Sequence, residues 1–282
     1  MISNLLNTLY RIIQEAVFPP KCLVCDAFFQ ISDKTPGRFT AKDFADGRTR
    51  NFSIKAQAQA HLAGCLCTQC LVDLIAVESP LCNSCGIPFT SRQGEDHLCG
   101  ACLASGHQIG IARAALIYNE ITSEVIHSFK YRGKIQLADP LGELLLTAFM
   151  FFWDIDGIDI VLPVPLHPGR LRQRGFNQAY LLIRKWPRLA ARHWNDLPSI
   201  RIERDLLTRT RPTEPQTALG RGQRAENIKD AFDLTRPEVV NGKVILLIDD
   251  VYTTGATVNE CGRLLLRHGA RKVDVLTLAR AI

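Results

Sequence analysis

The run of residues 244–257 constrains the fold of this chain more than any other part of its sequence. Its first five residues, Val244 to Ile248, are all apolar and predict a buried strand that ends in the acidic pair Asp249 and Asp250. A turn rich in threonine and glycine follows and opens a helix; it comprises Thr253, Thr254, Gly255, Ala256 and Thr257. Such a turn brings backbone N–H groups, threonine hydroxyls and the positive end of a helix to one small anion. The run therefore predicts a phosphate-binding turn with two carboxylates at its rim.

The acidic pair supplies the candidate catalytic residues. A strand end places Asp249 and Asp250 where ribose hydroxyls or a phosphate-bound Mg²⁺ would need oxygen acceptors, and Gly255 lets the backbone approach the ligand. A buried strand followed by an ordinary capped helix is the structural alternative, but it leaves two carboxylates at a strand end without compensation. The chain has no G-x-x-x-x-G-K-[ST] motif, which excludes an ordinary ATPase loop.

The segments around this run predict an α/β fold. A helix over residues 255–268 and a strand over residues 272–278 complete a strand-helix-strand unit, which is typical of a parallel crossover. We expect a further strand, residues 158–164, to run parallel to the strand of residues 244–248. The loops after both strands then meet at the edge where open α/β sheets bind ligands.

Eight of the ten cysteines form four C-x-x-C pairs. The pairs are Cys22/Cys25, Cys67/Cys70, Cys82/Cys85 and Cys99/Cys102. Each pair offers half of a tetrahedral site, so the four pairs predict two structural zinc ions. The spacing of the last two pairs is close to that of a zinc ribbon. The first ribbon must join its two pairs across a long insertion, and Cys65 is an available substitute ligand.

Other interpretations of the cysteines are less favoured. Free core cysteines would not be so densely paired, and the tighter spacings of ferredoxin clusters are absent. A redox dithiol would need a C-x-x-C pair that begins a helix beside a strand, and no such pattern is evident. His97 and His107 are further candidate ligands, although an exposed loop position is the simpler interpretation of each.

Three zones follow along the 282-residue chain. Residues 1–20 predict an amphipathic helix, residues 21–106 a double zinc ribbon with a flexible insertion at residues 30–61, and residues 107–282 the α/β domain. No unbroken apolar stretch reaches the roughly 18 residues that span a bilayer, so we expect no membrane insertion. Without a visible export signal, paired cysteines favour metal binding in a reducing cytoplasm.

Positive charge is concentrated in one part of the chain. The formal net charge is +6, yet residues 160–224 carry thirteen Lys or Arg against four Asp or Glu. This basic segment predicts either an anionic partner or a solvated surface.

Two acidic residues followed by T-T-G-x-T resemble the signature of type I phosphoribosyltransferases, which bind 5-phosphoribosyl 1-pyrophosphate. Three further segments extend the resemblance to the ComF family of competence-associated phosphoribosyltransferase-like proteins, which begin with a double zinc ribbon. The segments are residues 162–167 with 174–178, residues 216–219 with Arg224, Asn227 and Phe232, and residues 129–134. The resemblance covers nearly the whole chain except the insertion. It implies a type I phosphoribosyltransferase-like parallel sheet with helices, preceded by a small zinc-ribbon module.

The resemblance also implies a set of ligand-binding residues. The loop after strand 158–164 would hold the pyrophosphate together with Mg²⁺. In addition to the residues of the turn, those implied in ligand binding are Val164, Pro165, Arg174, Asn177, Arg132 and Lys134. The loop of residues 208–227 is long and helix-poor, which is typical of a lid or a disordered segment. The lid interpretation assigns to it Gln216, Arg221, Arg224 and Asn227.

Several functions are compatible with this pattern. A transferase would displace pyrophosphate at the ribose C1, and no motif identifies its acceptor or establishes turnover. A non-catalytic factor that binds single-stranded DNA during DNA uptake is a second hypothesis, since the resemblance to competence proteins implies such partners and the basic segment is compatible with phosphate contacts. A regulator that senses phosphoribosyl pyrophosphate is a third.

Overall fold

The structure is a computed structural model that describes residues 19–31, 37, 52–91, 93–105, 109–193, 200–212 and 226–282. The N-terminal helix predicted at residues 1–20 and most of the insertion at residues 30–61 fall outside the described residues. The predicted lid residues Gln216, Arg221 and Arg224 also lie outside them.

A four-stranded parallel sheet forms the centre of the C-terminal part. The strands of the chain are β1 (Ala112–Ile117), β2 (Ile160–Pro163), β3 (Leu207–Arg209), β4 (Phe232–Leu234), β5 (Val244–Tyr252) and β6 (Lys272–Arg280). The sheet has the order β1-β6-β5-β2, and each of its pairings is parallel. Strands β3 and β4 form a separate antiparallel pair. The predicted parallel arrangement of β2, β5 and β6 is confirmed.

The sequence placed the acidic pair after the strand, whereas the structure places it inside β5. Pro163, the last residue of β2, pairs with Ile248, but β5 continues alongside β6, with Asp249 opposite Thr277 and Tyr252 opposite Arg280. The strand is longer than its apolar run because β6 still offers it backbone partners. Its last four residues therefore project beyond the end of β2.

Nine helices are described between and beside the strands. They are α1 (Ile54–Leu62), α2 (Thr68–Val72), α3 (Gly100–Ser105), α4 (Glu120–Tyr131), α5 (Ala138–Phe152), α6 (Pro168–Arg174), α7 (Gln178–Ile183), α8 (Trp186–His193) and α9 (Ala256–Arg267). The crossover from β5 to β6 runs through α9, as the sequence predicted.

Both faces of the sheet are buried, as is usual for parallel sheets. Successive residues of β5 point to opposite sides: Leu246 and Ile248 pack with α4, α5 and α7. Ile245 and Leu247 pack with α9 and the β3-β4 pair. The continuous apolar run of this strand is therefore explained by burial on both sides.

Helix α5 packs into the core. The segment Ile135–Phe152 is the one described helix that is long and apolar enough to cross a membrane by length and composition. Its residues Leu141, Leu144, Leu145 and Phe149 are buried, and they belong to the cluster that lies against the sheet. The apolar character of this segment therefore follows from its packing inside the fold.

The predicted flexible insertion differs from the structure at its C-terminal end, where α1 begins at Ile54. Ser53 caps this helix by accepting a hydrogen bond from the N–H of Ala56 at 3.3 Å. On its buried side, His61 contacts the hydroxyl of Thr147 on α5 at 3.2 Å. The helix was missed because large apolar residues occur only at its two ends, Ile54 and Leu62, and the buried positions between them hold alanine, Gln57 and His61.

Candidate ligand site and metal centres

The turn that follows β5 requires glycine at one position. Gly255 precedes α9 with φ of +78°, in the left-handed region that favours glycine. A Cβ atom at this position would lie 2.4 Å from the hydroxyl oxygen of Tyr252, which is buried below the turn. The turn between Thr253 and Ala256 is thus both left-handed and tightly packed against the end of β5.

The turn leads directly into the first turn of α9. The N–H of Ala256 donates to the hydroxyl of Thr254 at 3.4 Å, and the N–H of Asn259 donates to the carbonyl of Gly255 at 2.8 Å. Because the N-cap residue is glycine, it has no side chain to cap the helix. Thr253 and Thr257 are partly exposed on the same turn. This geometry is compatible with a small anion at the helix N-terminus.

Asp250 is held by an ion pair with Lys130, a residue that the sequence did not point to as part of the site. The Lys130 ammonium on α4 lies 2.6 Å from Oδ1 of Asp250, and both side chains are largely buried. The other oxygen of Asp250, Oδ2, is buried and has no hydrogen-bond partner in the described part of the chain. A buried carboxylate oxygen without a partner is unfavourable in the empty protein. A ligand or cation that reaches it would remove this penalty.

Asp249 lies beside the ion pair of Lys130 and Asp250 and interacts with the charges of both residues. Its Oδ1 accepts a hydrogen bond from the N–H of Asp250 at 2.8 Å. Removal of the carboxyl from bulk water, together with the neighbouring charge of Asp250, raises the pKa of Asp249 to about 7. The acidic pair can therefore change its charge near neutral pH.

A second buried cation, Arg209 at the end of β3, belongs to the same site. Its guanidinium lies 5.5 Å from the centre of the Phe232 ring, and its charge acts on Asp249. Burial and the nearby charge of Arg170 lower the pKa of Arg209. The sequence offered one signal for this residue, its place in the basic segment of residues 160–224.

The loop after β2 begins beside β5, next to the acidic pair, as expected for parallel strands. The N–H of Val164 donates to the carbonyl of Ile248 at 2.8 Å, and the side-chain amide of Asn177 donates to the carbonyl of Val164 at 3.1 Å. Asn177 also caps α7. The segment from Val164 through Pro165 to Asn177 is thereby tied to the end of β5.

Arg174 joins this loop to helix α4. Its guanidinium donates to the side-chain oxygen of Gln178 at 2.5 Å and lies 4.7 Å from the centre of the Tyr131 ring. The predicted residue Arg174 therefore contacts the last turn of α4, the helix that also carries Lys130.

Arg132 and Lys134 do not contact the acidic pair in the described structure. Arg132 pairs with Glu124 on the exposed side of α4, and Lys134 follows the end of that helix with its N–H bonded to the carbonyl of Ser128. Lys130 contacts the acidic pair and Arg132 does not, because the turn of the helix directs positions 130 and 132 to different sides. The assignment of Arg132 and Lys134 to the ligand stays a prediction. Of the four residues assigned to the lid, only Asn227 is described, and its carbonyl accepts a hydrogen bond from Arg211 at 3.1 Å.

Two groups of four cysteines lie in the N-terminal module. In each group the Sγ atoms are within 4.8 Å of one another. The groups are Cys22, Cys25, Cys67 and Cys70, called here the first centre, and Cys82, Cys85, Cys99 and Cys102, called the second centre. The Sγ atoms of Cys25 and Cys67 are 3.7 Å apart and those of Cys85 and Cys99 are 3.8 Å apart. Four thiolates around one zinc ion at about 2.3 Å require similar separations, so both donor sets fit zinc.

The two centres are built in the same way. In each, the first C-x-x-C pair lies in a small antiparallel knuckle, bridged by Lys21 to Phe28 and by Leu81 to Pro88. The second pair accompanies a short helix, α2 or α3. The sequence analysis saw no C-x-x-C pair that begins a helix, but Cys67 is the N-cap of α2. Because that pair completes a four-thiol group, the metal interpretation stands.

The other candidate ligands lie elsewhere. Cys65 is outside both groups. The imidazole of His97 stacks on Phe89 at 3.9 Å and bonds to the carbonyl of Glu95. His107 falls outside the described residues. The remaining cysteine, Cys261, lies on α9 and is buried in the core.

Comparison with known proteins agrees with this geometry. A protein-family model described as "Phosphoribosyl transferase domain" matches residues 202–282. The chain is 34% identical over 209 residues to "DNA utilization protein YhgH" of Shigella flexneri, covering 73% of this chain and 86% of that protein. It is 30% identical to "Competence protein F" of Haemophilus influenzae, covering 76% of this chain and 96% of that protein. It is 29% identical to "Competence protein ComFC" of Bacillus subtilis, covering 77% and 84%.

Proposed function

The chain belongs to the ComF family of phosphoribosyltransferase-like competence proteins, and from that premise we propose that it binds 5-phosphoribosyl 1-pyrophosphate together with Mg²⁺ beside the acidic pair. One observation carries the proposal: Asp249 and the unpartnered Oδ2 of Asp250 lie next to a turn with a left-handed, closely packed glycine at position 255. A ligand with a phosphate next to ribose hydroxyls matches this combination of a helix N-terminus and carboxylates.

Each part of the site has a role in the proposed complex. The turn of residues 253–257 binds the 5-phosphate through backbone N–H groups and threonine hydroxyls. Asp249 and Asp250 accept hydrogen bonds from the ribose hydroxyls and are the residues that would hold Mg²⁺. The metal, when bound, neutralises the pyrophosphate charge.

In this scheme the pyrophosphate binds to the loop between β2 and α7. The backbone of this loop is fixed to β5 through Val164 and to α7 through Asn177. Arg174, already aligned by Gln178, supplies a cation to the departing phosphates. In a transferase, these contacts stabilise the leaving group while the acceptor attacks C1 of the ribose.

We assign the lid role to the segment that contains Gln216, Arg221, Arg224 and Asn227.

A second candidate function, contact with single-stranded DNA, is favoured by the basic segment and by the names of the relatives. Arg172 and Arg174 lie in the last turn of α6, a helix without buried residues. Charge at this surface would contribute most of a phosphate-backbone interaction.

We further propose that the chain acts in the cytoplasm, since all ten cysteines are free thiols and eight of them form two four-thiol groups that could hold a metal.

Calorimetric titration with phosphoribosyl pyrophosphate, with and without Mg²⁺, tests the proposed function. The variant Asp249→Asn/Asp250→Asn should stay folded and keep its zinc, yet lose at least tenfold in affinity, because hydrogen bonds to charged groups contribute about 1.5–3 kcal/mol each. The matched control Asp205→Asn/Glu238→Gln removes the same formal charge from exposed positions and should bind like the parent. Equal binding by both variants would refute the site.

A pyrophosphate-release assay separates a transferase from a sensor. With candidate acceptors present, a transferase releases pyrophosphate and the double asparagine variant does not. Tight binding of phosphoribosyl pyrophosphate, without release of pyrophosphate with any of the acceptors, supports the sensing alternative.

A further inference from the structure

Arg280, at the end of β6, is a buried cation without an acidic partner. The residue is 6% exposed, and no carboxylate within the described ranges lies at ion-pair distance from it. Two of its nitrogens, Nε and Nη1, are buried without a hydrogen-bond partner among those residues. The third, Nη2, donates to Sγ of Cys85 at 3.4 Å. The polar contact of this guanidinium is therefore with the second centre.

The charge of the second centre explains why a buried arginine lies there. An unpaired buried cation is strongly unfavourable, and a neutral thiol offers little compensation. Four thiolates around one divalent ion carry a net charge of about −2. A guanidinium donating to one of these sulfurs both neutralises part of that charge and fixes the orientation of the ligand.

The opposite side of Arg280 contacts the floor of the phosphate-binding turn. Its guanidinium carbon lies 4.4 Å from the centre of the Tyr252 ring. Tyr252 pairs with Arg280 in the sheet, and its carbonyl accepts from the N–H of Ala281 at 2.9 Å. The hydroxyl of Tyr252 fills the space below Gly255. Cys85, Arg280, Tyr252 and Gly255 thus form one continuous series of contacts.

We infer that Arg280 is a positioning residue that couples metal loading of the second centre to the conformation of the phosphate-binding turn. With the metal bound, the thiolates hold the guanidinium against Tyr252, and the ring supports the turn. Without the metal, the four cysteine side chains are no longer fixed around one ion, Arg280 loses a rigid partner at Cys85, and its contact no longer supports Tyr252. Among the described residues, no lysine or arginine donates to a thiol of the first centre, so the coupling is specific to the second.

Hydrogen exchange of the backbone amides of residues 253–258 measures this coupling without any ligand. Arg280→Met protein that retains both zinc ions should exchange these amides about tenfold faster than the parent. Arg113→Met is the matched control, because Arg113 donates to the carbonyls of Cys82 and Asn83 beside the same centre but has no contact with Tyr252. Its exchange in the turn should equal that of the parent.

Variants of the cysteines complete the test. Cys99→Ser, which disrupts the second centre, should accelerate exchange in the turn as Arg280→Met does, whereas Cys25→Ser in the first centre should not. Equal exchange in the parent and in zinc-loaded Arg280→Met would overturn the inference. If Arg280→Met does not fold, Arg280→Lys keeps the charge without the planar contact on Tyr252; parent-like exchange in that variant would also overturn it.

The relevance to ligand binding rests on the proposed function, and the two can fail separately. If the parent binds phosphoribosyl pyrophosphate, Arg280→Met should lose about tenfold in affinity as the turn loosens. If exchange responds as expected but the parent does not bind this ligand, the coupling stands and the proposed function fails. If the parent binds and Arg280→Met matches it in both affinity and exchange, the coupling fails and the proposed function stands.

Discussion

Lys130 and Asp250 determine the electrostatics of the site at the scale of single residues. The ion pair at 2.6 Å compensates one carboxylate of the acidic pair, while Asp249 keeps a pKa raised to about 7 by burial and by the charge of Asp250. The two neighbouring carboxylates therefore differ in role. Asp250 is held by Lys130, whereas the raised pKa of Asp249 extends protonation of its carboxyl towards neutral pH.

Asp249 makes stability depend on pH in a defined direction. Its pKa is raised above the ordinary value of 3.8, so the folded protein binds more protons than the unfolded chain between about pH 4 and pH 7. The free energy of unfolding should fall as pH rises through this window. Asp249→Asn should flatten the dependence, which denaturant titrations at several pH values would show. A parent and variant with parallel profiles would contradict the raised pKa.

The same protonation should govern ligand binding. Because a protonated carboxyl is a poor metal ligand, the affinity for phosphoribosyl pyrophosphate with Mg²⁺ should rise as pH increases through about 7. Calorimetric titrations at pH 6 to pH 8 measure this change. In the absence of Mg²⁺ the dependence should be weaker, and a flat profile with Mg²⁺ would exclude Asp249 from metal binding.

Lys130→Met should destabilise the protein through the charge it leaves behind. Breaking a largely buried ion pair costs roughly 2–4 kcal/mol, because Asp250 stays buried without compensation. Lys130→Met/Asp250→Asn should recover part of this loss. Arg132→Met is the control, since Arg132 pairs with Glu124 at a more exposed site and such pairs contribute less than about 1 kcal/mol. Equal losses for Lys130→Met and Arg132→Met in chemical denaturation would contradict this account.

At the scale of elements, the junction between β5 and α9 brings the functional groups together. The strand extends past β2 and carries the acidic pair, and a left-handed glycine then reverses the chain into the helix. The loop after β2 approaches the same junction because the two strands are parallel. Rigid neighbouring elements thus position a short turn that would otherwise be mobile.

Gly255→Ala tests this junction. The substitution adds left-handed strain of about 1 kcal/mol and also a contact with the hydroxyl of Tyr252. Gly242→Ala is the control, because Gly242 has φ of +71° but nothing within 4 Å of its Cβ position. We expect Gly255→Ala to lose clearly more stability and to weaken ligand binding, with partial recovery in Gly255→Ala/Tyr252→Phe. Equal thermal shifts for the two alanine variants would show that the close contact is unimportant.

At the scale of the whole molecule, the cysteine module and the α/β domain share one core. Cys22, Leu66 and Leu74 belong to the same apolar cluster as α5 and α7. The second centre reaches the domain in another way, through Arg280 and through the hydrogen bond from Ala112 to the carbonyl of Ser84 at 2.7 Å. Metal loss should therefore affect the domain as well as the module.

The number of zinc ions per chain tests whether both centres bind metal. The protein should hold two zinc ions per chain, and Cys25→Ser and Cys99→Ser should each lose one, because three thiolates leave a tetrahedral site incomplete. Cys65→Ser should retain both, since Cys65 lies outside the two groups. Elemental analysis of the purified proteins decides it. A single ion that persists in Cys25→Ser would remove the first centre.

Binding of single-stranded DNA, if it occurs through the basic segment, should fall steeply with salt. Arginines such as Arg170, Arg172 and Arg174 would act mainly by displacing counterions from phosphates. Fluorescence anisotropy with an oligonucleotide at increasing salt measures the slope. Reversing the charges of Arg172 and Arg188 should reduce this slope. An affinity that changes neither with salt nor with these substitutions would exclude this surface.

The sequence alone determined the features that depend on local pattern. The apolar run of residues 244–248, the turn with Gly255 and the four C-x-x-C pairs each carry their chemistry within a few neighbouring positions. The strand-helix-strand unit and the parallel direction of β2 follow from short-range periodicity and the rules of chain connection. These predictions of fold and of metal donors hold in the structure.

Only the tertiary structure decided which distant groups meet. Lys130, Arg209 and Arg280 are basic residues in ordinary sequence surroundings, and burial beside Asp250, Asp249 and Cys85 distinguishes them. The length of β5 and the existence of α1 were likewise set by partners outside the local sequence, β6 and α5. The pairs Lys130–Asp250 and Cys85–Arg280 join residues more than a hundred positions apart. Local pattern carries no information about which of many charged side chains will be enclosed.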